Sequence, residues 1–190
     1  MSDKEDIQVI DTVLSGKTES FTRIIEKYQN MVFRYVYNRF NDMDEAQDMT
    51  QEIFIMALEA LPSFRRESKF STWLYSIMVN YCRNYFKKKR RQQTFSLNMV
   101  RGEDDYQIDL PDSRETPEDD VVTDDSLRIM KDELARLPED YRDILVLRDI
   151  DGLSYNEISE ILGIQLSNVK VRIHRGREML KKRLHLRGLV

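Results

Sequence analysis

The 190-residue chain is 41% hydrophobic and 34% charged, with six glycines and four prolines, a balance that permits one or two small helical domains and argues against sheet. Its one cysteine, Cys82, rules out an intramolecular disulfide and fits a reducing cytoplasm. No apolar run approaches membrane-spanning length, and the acidic start (Asp3, Glu5, Asp6) is no signal peptide. The net charge of −4 is segregated: residues 1–95 hold 15 basic and 13 acidic groups, residues 96–125 hold 2 and 11, and residues 126–190 hold 13 and 10, so both flanks of an acidic stretch are basic.

In chain order, Ile7, Ile10 and Leu14 predict a short helix near residues 4–15, stopped by Gly16. Ser15-Gly16-Lys17-Thr18 imitates the end of a phosphate-binding loop. The glycine that such a loop needs five residues before Gly16 is Asp11, so Gly16 reads as a helix stop. Phe21, Ile24, Ile25, Tyr28, Val32, Tyr35 and Val36 keep a helical stripe. So do Ala46, Met49, Ile53, Met56, Ala57 and Ala60, which end before Pro62. Leu74, Ile77, Met78, Tyr81 and Tyr85 mark a further helix that runs into Lys87-Lys88-Lys89-Arg90-Arg91. Ahead of and along that helix, Phe64, Phe70, Trp73, Tyr81 and Tyr85 interleave with Arg, Lys and Asn. Such a mixture suits single-stranded nucleic acid, because unstacked bases lie on aromatic faces while cations follow the backbone. For Tyr81 and Tyr85 an ordinary core role is equally consistent with the helical spacing.

Residues 93–123 are acidic, contain Pro111 and Pro117, and have no sustained period, which predicts a linker. A second domain begins near Asp124. Leu127, Met130, Leu134 and Leu137 predict one helix, stopped by Pro138, and Tyr141, Ile144, Leu145 and Leu147 another. A helix-turn-helix follows. Ser154 and Glu157 have capping-box spacing, Gly163 suits a left-handed helix stop, and Ser167 is a candidate N-cap for the second helix. On that helix Val169, Ile173, Gly176, Leu180 and Leu184 form the inward stripe. Between Gln165 and Arg183 stand seven basic residues and one acidic residue, Glu178. One-sided basicity on a capped second helix predicts DNA binding in the major groove, with Arg175 the best candidate for a bidentate contact to guanine. The only histidines, His174 and His185, lie apart from any Cys or carboxylate cluster, and no catalytic pair stands out. The chain therefore reads as a non-enzyme with no metal, no cofactor and no small-molecule substrate.

Asp48-Met49-Thr50-Gln51-Glu52-Ile53-Phe54, Phe64-Arg65 through Phe70-Ser71-Thr72-Trp73-Leu74, and Leu137-Pro138 through Gly152-Leu153-Ser154-Tyr155, in this order, resemble the bacterial RNA polymerase sigma factors of the extracytoplasmic function group. The resemblance spans roughly residues 18–185. It implies an all-α architecture of two small helical domains joined by a flexible acidic linker: a sigma-2-like bundle (1–92), the linker (93–123) and a sigma-4-like helix-turn-helix domain (124–190). It implies as partners core RNA polymerase, through the β′ coiled coil and the β flap, promoter DNA, and an anti-sigma protein. Asp48, Gln51 and Glu52 would meet the coiled coil. Phe64, Lys69, Phe70, Trp73, Asn80, Arg83, Asn84 and Lys87 would recognise and open the minus-10 element. Ser167, Asn168, Lys170, Val171, Arg172, His174 and Arg175 would serve the minus-35 element, with Arg172 and Arg177 toward phosphates. The acidic linker would thread the polymerase cleft as a nucleic-acid mimic. The competing reading is a free-standing helix-turn-helix regulator whose N-terminal helices sense a ligand or dimerise.

Overall fold

The computed structural model describes residues 3–40, 42–100 and 124–189, and every described element is helical. The expected linker from residue 101 to 123 lies outside them. In the first unit, α1 (Asp3–Leu14) ends as Gly16 turns to φ +104°, as its sequence context predicts. The buried stripe of α1 is Asp6, Val9, Ile10 and Val13, one position out of phase with the expected Ile7, Ile10 and Leu14, and Leu14 is 45% exposed. The phase shift has a physical cause. Asp6 is drawn inward by Lys27 Nζ, at 2.6 Å, and by the Tyr28 hydroxyl, which donates to it at 2.7 Å. Burial, then this bond to Asp6, pushes the Tyr28 phenol well above its ordinary pKa.

A single turn at Thr18–Phe21 leads into α2 (Thr22–Phe40). Asp42 caps α3 (Met43–Ala60) by accepting the Glu45 backbone N–H at 2.8 Å. Helix α4 (Phe70–Val100) follows a loop and continues past Gln93, where the sequence places the start of the linker. Ile10, Ile24, Val32, Tyr35, Val36, Met49, Ile53, Leu74 and Met78 are sealed between these four helices. Further along α4 the Tyr85 hydroxyl donates to Glu45 at 2.8 Å, which ties α4 to the start of α3.

In the second unit α5 (Asp124–Ala135) stops before Pro138, and α6 (Glu139–Leu145) continues into a π-turn over Val146–Ile150. Helices α7 (Tyr155–Leu162) and α8 (Leu166–Leu186) complete it around Leu134, Ile144, Leu145, Leu147, Ile158, Val169 and Ile173. Gly176 lets α8 close on α6: a Cβ there would stand 3.2 Å from Leu145 Cγ. Near the tail of α8, Arg183 and Arg187 both reach the buried Glu133 carboxylate of α5, at 3.1 and 3.0 Å. Burial alone would raise the pKa of Glu133; its arginine partners outweigh that and hold it below the ordinary value. The two units touch, with α7 against α4 and α5 against α2.

Candidate nucleic-acid and polymerase interfaces

The helix-turn-helix is built by short-range bonds. Ser154 accepts the Glu157 backbone N–H while the Glu157 carboxylate accepts the Ser154 N–H at 3.0 Å, a complete capping box. Gly163 ends α7 at φ +62°, in the left-handed region that a side chain disfavours. The Ser159 hydroxyl then donates to the Ile164 carbonyl at 2.6 Å and fixes the turn. Helix α8 starts earlier than expected. Gln165, extended at ψ 146°, is its N-cap with no side-chain bond, and Ser167 lies inside the first turn. The Ser167 N-cap expectation is therefore corrected: the chain already turns helical at Leu166.

The inward stripe of α8 is Val169, Ile173 and Gly176, continued by the half-buried Leu180 and Leu184. Opposite it, Ser167, Asn168, Lys170, Val171, His174 and Arg175 are all exposed. Val171, at 46%, is an apolar group in a polar face, suited to a thymine methyl. Arg172 is partly covered and pairs with Asp140 at 3.3 Å, and Arg177 is held by Asp149.

On α3, Asp48, Gln51 and Glu52 are exposed and share a surface with Ile55 and Met56, 51% and 40% exposed. Met56 was expected in the core stripe. The bundle instead seals on Ile53, Phe54 and Ala57 and leaves Met56 outside. An acidic-polar face with two apolar side chains is chemically suited to a basic amphipathic helix.

The loop before α4 and its first turns form an aromatic stack. Phe64 and Phe70 are 8% and 2% exposed, and their rings meet edge-on at 5.6 Å. Trp73 lies 5.3 Å from Phe64 and 5.4 Å from Phe70 and is only half-buried. The two phenylalanines are thus a bed for the indole; of the three, only Trp73 has a substantial free face. Asn80, Asn84 and Lys87 are at least partly exposed along α4. Lys69 and Arg83 are exposed or partly so, but each is taken: Lys69 by Glu157 at 3.1 Å and Arg83 by Asp143 at 2.8 Å. The hydrogen bond to Glu157 raises the Lys69 pKa.

Residues 24–92 match the family model of sigma-70 region 2, and residues 127–180 that of sigma-70 region 4. An ECF RNA polymerase sigma-E factor of Haemophilus influenzae is 33% identical over 94% of this chain and 95% of its own. The chain belongs to the ECF sigma factors. It is thus a promoter-directing subunit for transcription initiation, and both halves of the sequence resemblance hold. The sigma factor SigW of Bacillus subtilis is 36% identical over 92% of this chain and 94% of its own. The fold is shared with CnrH, solved in complex with the cytosolic domain of CnrY (TM-score 0.65, 22% identity, 94% of this chain and 96% of that one). It is also shared with the Bartonella quintana sigma factor RpoE solved with the anti-sigma factor NepR (TM-score 0.62, 22% identity, 88% and 98%).

Four residues at the contact between this sigma factor's two units are not singled out by the sequence: Arg39, Glu139, Asp140 and Asp143. One signal was available. Arg39 follows Val32, Tyr35 and Val36 at helical spacing and so falls on an apolar stripe, where an unpaired cation would be costly.

Proposed function

We propose that residues 1–92 bind core polymerase and open the minus-10 element, that residues 93–123 connect, and that residues 124–190 read the minus-35 element. The observation that carries this is the two-sided build of α8: Val169, Ile173 and Gly176 anchor it, while Lys170, Val171, His174 and Arg175 are exposed away from that stripe. Side chains near the start of such a helix read base edges, and Arg172 and Arg177 would hold phosphates once released from their carboxylates. On α4, Trp73 would stack on an extruded base over its Phe64–Phe70 bed, and Asn80, Arg83, Asn84, Lys69 and Lys87 would face the strand. On α3, Asp48, Gln51 and Glu52 would dock on the β′ coiled coil, with Ile55 and Met56 adding apolar contact; the second domain would meet the β flap.

The protein acts without catalytic, metal or cofactor chemistry of its own and works in the cytoplasm, where its polymerase is. No described helix is long and apolar enough to cross a membrane. The anti-sigma factor NepR bound to the Bartonella quintana sigma factor of this fold supports an anti-sigma partner here as well. In vitro transcription with core enzyme, followed by start-site mapping, tests the assignment. Arg175→Ala should cost roughly 1–3 kcal/mol at one base pair of the upstream element and relax preference there, whereas Arg172→Ala, at a phosphate contact, should weaken all sequences alike. An unchanged promoter preference in Arg175→Ala would remove Arg175 from base reading.

A further inference from the structure

The loop that beds Trp73 is short. Phe64 and Phe70 are joined by five residues, 65–69, yet their rings meet and both lie against the indole. The link closes through Arg66, whose φ of +61° is the one left-handed value at a non-glycine residue among the described residues. A side chain makes that backbone state about tenfold less favourable than the ordinary one. The Arg66 guanidinium pairs with the Asp11 carboxylate of α1. Helix α1 also packs on the turn at Leu61–Ser63 that enters the loop, and on α4, which leaves it. A second route runs from α1 beneath the stack: the buried Asp6 accepts the Tyr28 hydroxyl, and the Tyr28 ring lies 5.5 Å from that of Phe70. Both routes start on α1, which precedes residues 24–92, the ones matched to sigma-70 region 2.

We propose that Asp11 is a positioning residue for minus-10 recognition: by pairing with Arg66 it holds residues 65–69 in the backbone state that sets Phe64 and Phe70 beneath Trp73. The inference rests on the reading of Trp73 as the platform for an extruded base. Asp11 does not touch that base; it fixes the height and tilt of the surface on which the base stacks. Both side chains of the pair are about half exposed, 46% for Arg66 and 51% for Asp11, so water and salt screen it and its effect is a few-fold. That is close to the size of the left-handed penalty at Arg66. The pair therefore decides what fraction of chains carries a ready platform, and affinity for the base is discounted by that fraction. A glycine at position 66 would take the left-handed state without penalty and need no partner.

The test uses holoenzyme assembled from the full chain and core polymerase, on a promoter located by start-site mapping. Permanganate reactivity of unpaired thymines reads strand opening. Asp11→Asn should slow opening about threefold and relax base preference at the downstream element, with upstream preference unchanged. The equal-charge control Glu26→Gln, on the exposed side of α2, should do neither. Arg66→Gly alone should stay within about twofold of wild type. In the Asp11→Asn chain it should recover most of the loss, which a pair serving stability alone would not permit. Trp73 is the only tryptophan of the chain, so acrylamide quenching of its fluorescence in the free chain reads the platform directly. Quenching should rise in Asp11→Asn and fall back when Arg66→Gly is added. Faster opening in Asp11→Asn overturns the proposal, since Arg66 would then be a phosphate contact that Asp11 withholds. Unchanged opening in Asp11→Asn, or no recovery in the double variant, overturns it as well. Trp73→Ala separates the two readings. If it slows opening while Asp11→Asn does not, the platform stands but α1 does not position it. If Trp73→Ala has no effect, the platform reading itself fails, and the proposal with it.

Discussion

Asp151 has a side chain closed to water between Arg34, 3.2 Å away, and Tyr75. Burial raises its pKa; the Arg34 charge and the two hydrogen-bonding neighbours only partly oppose this. A carboxyl whose pKa rises on folding is best tolerated protonated. Its contribution to stability is fully present below the unfolded value of about 3.9 and is lost as pH climbs through the raised value. Asp151→Asn should therefore raise the melting temperature at neutral pH and leave it nearly unchanged in acid below that value. A lower melting temperature at neutral pH would mean that the Arg34 pair outweighs burial. The partners of Asp151 and Arg39 are not legible from their neighbours in sequence, since each comes from the other half of the chain. The Ser154–Glu157 box and Gly163 were legible because every atom in them lies within a few residues.

Among the elements, the packing of α8 on α6 turns on one missing side chain. Gly176 ordinarily weakens a helix by about 1 kcal/mol relative to alanine, and here its gain is closeness to Leu145. Gly176→Val should push the helices apart and destabilise the second unit by about 1–3 kcal/mol in urea titration, while Gly176→Ala should lie near neutral as propensity offsets crowding. A neutral valine variant would show that α8 is free to slide. The apolar periods located the helices of both units, because a stripe at helical spacing has one solution. Phase was less secure. The stripe of α1 rotated to bury Asp6, and α8 began before Ser167, because a charged bond in one case and an extended Gln165 in the other override what side-chain type suggests. Among the candidate site residues, those on α8 emerge exposed, apart from the partly covered Arg172. Phe64 and Phe70 instead lie beneath Trp73, since periodicity does not say which aromatic of a cluster ends on top.

For the whole molecule, two small units share one contact whose charges come from residues about a hundred positions apart, such as Arg39 and Glu139. No local pattern announces such a pairing. It should nevertheless couple their unfolding. Scanning calorimetry of the wild-type chain at low salt should give one merged transition, and Arg39→Met should split it into two, the second unit melting lower. Two well-separated transitions in the wild type would mean that the contact contributes little to stability.

Glu133 gives α8 a property that its reading end does not reveal. The helix is held at its head by the buried Val169 and Ile173 and at its tail, roughly 20 Å away, where Arg183 and Arg187 reach one carboxylate. It is a beam on two supports: with the tail support loosened, a tilt of about 5° about the Gly176 contact would move the head by roughly 1 Å, about a third of the rise between base pairs. Glu133→Gln should cost about 1–2 kcal/mol in stability. It should also blur base preference at the upstream element in a randomised-promoter selection, although it touches no DNA. Variants of altered promoter choice are thus expected at the mooring as well as at the tip.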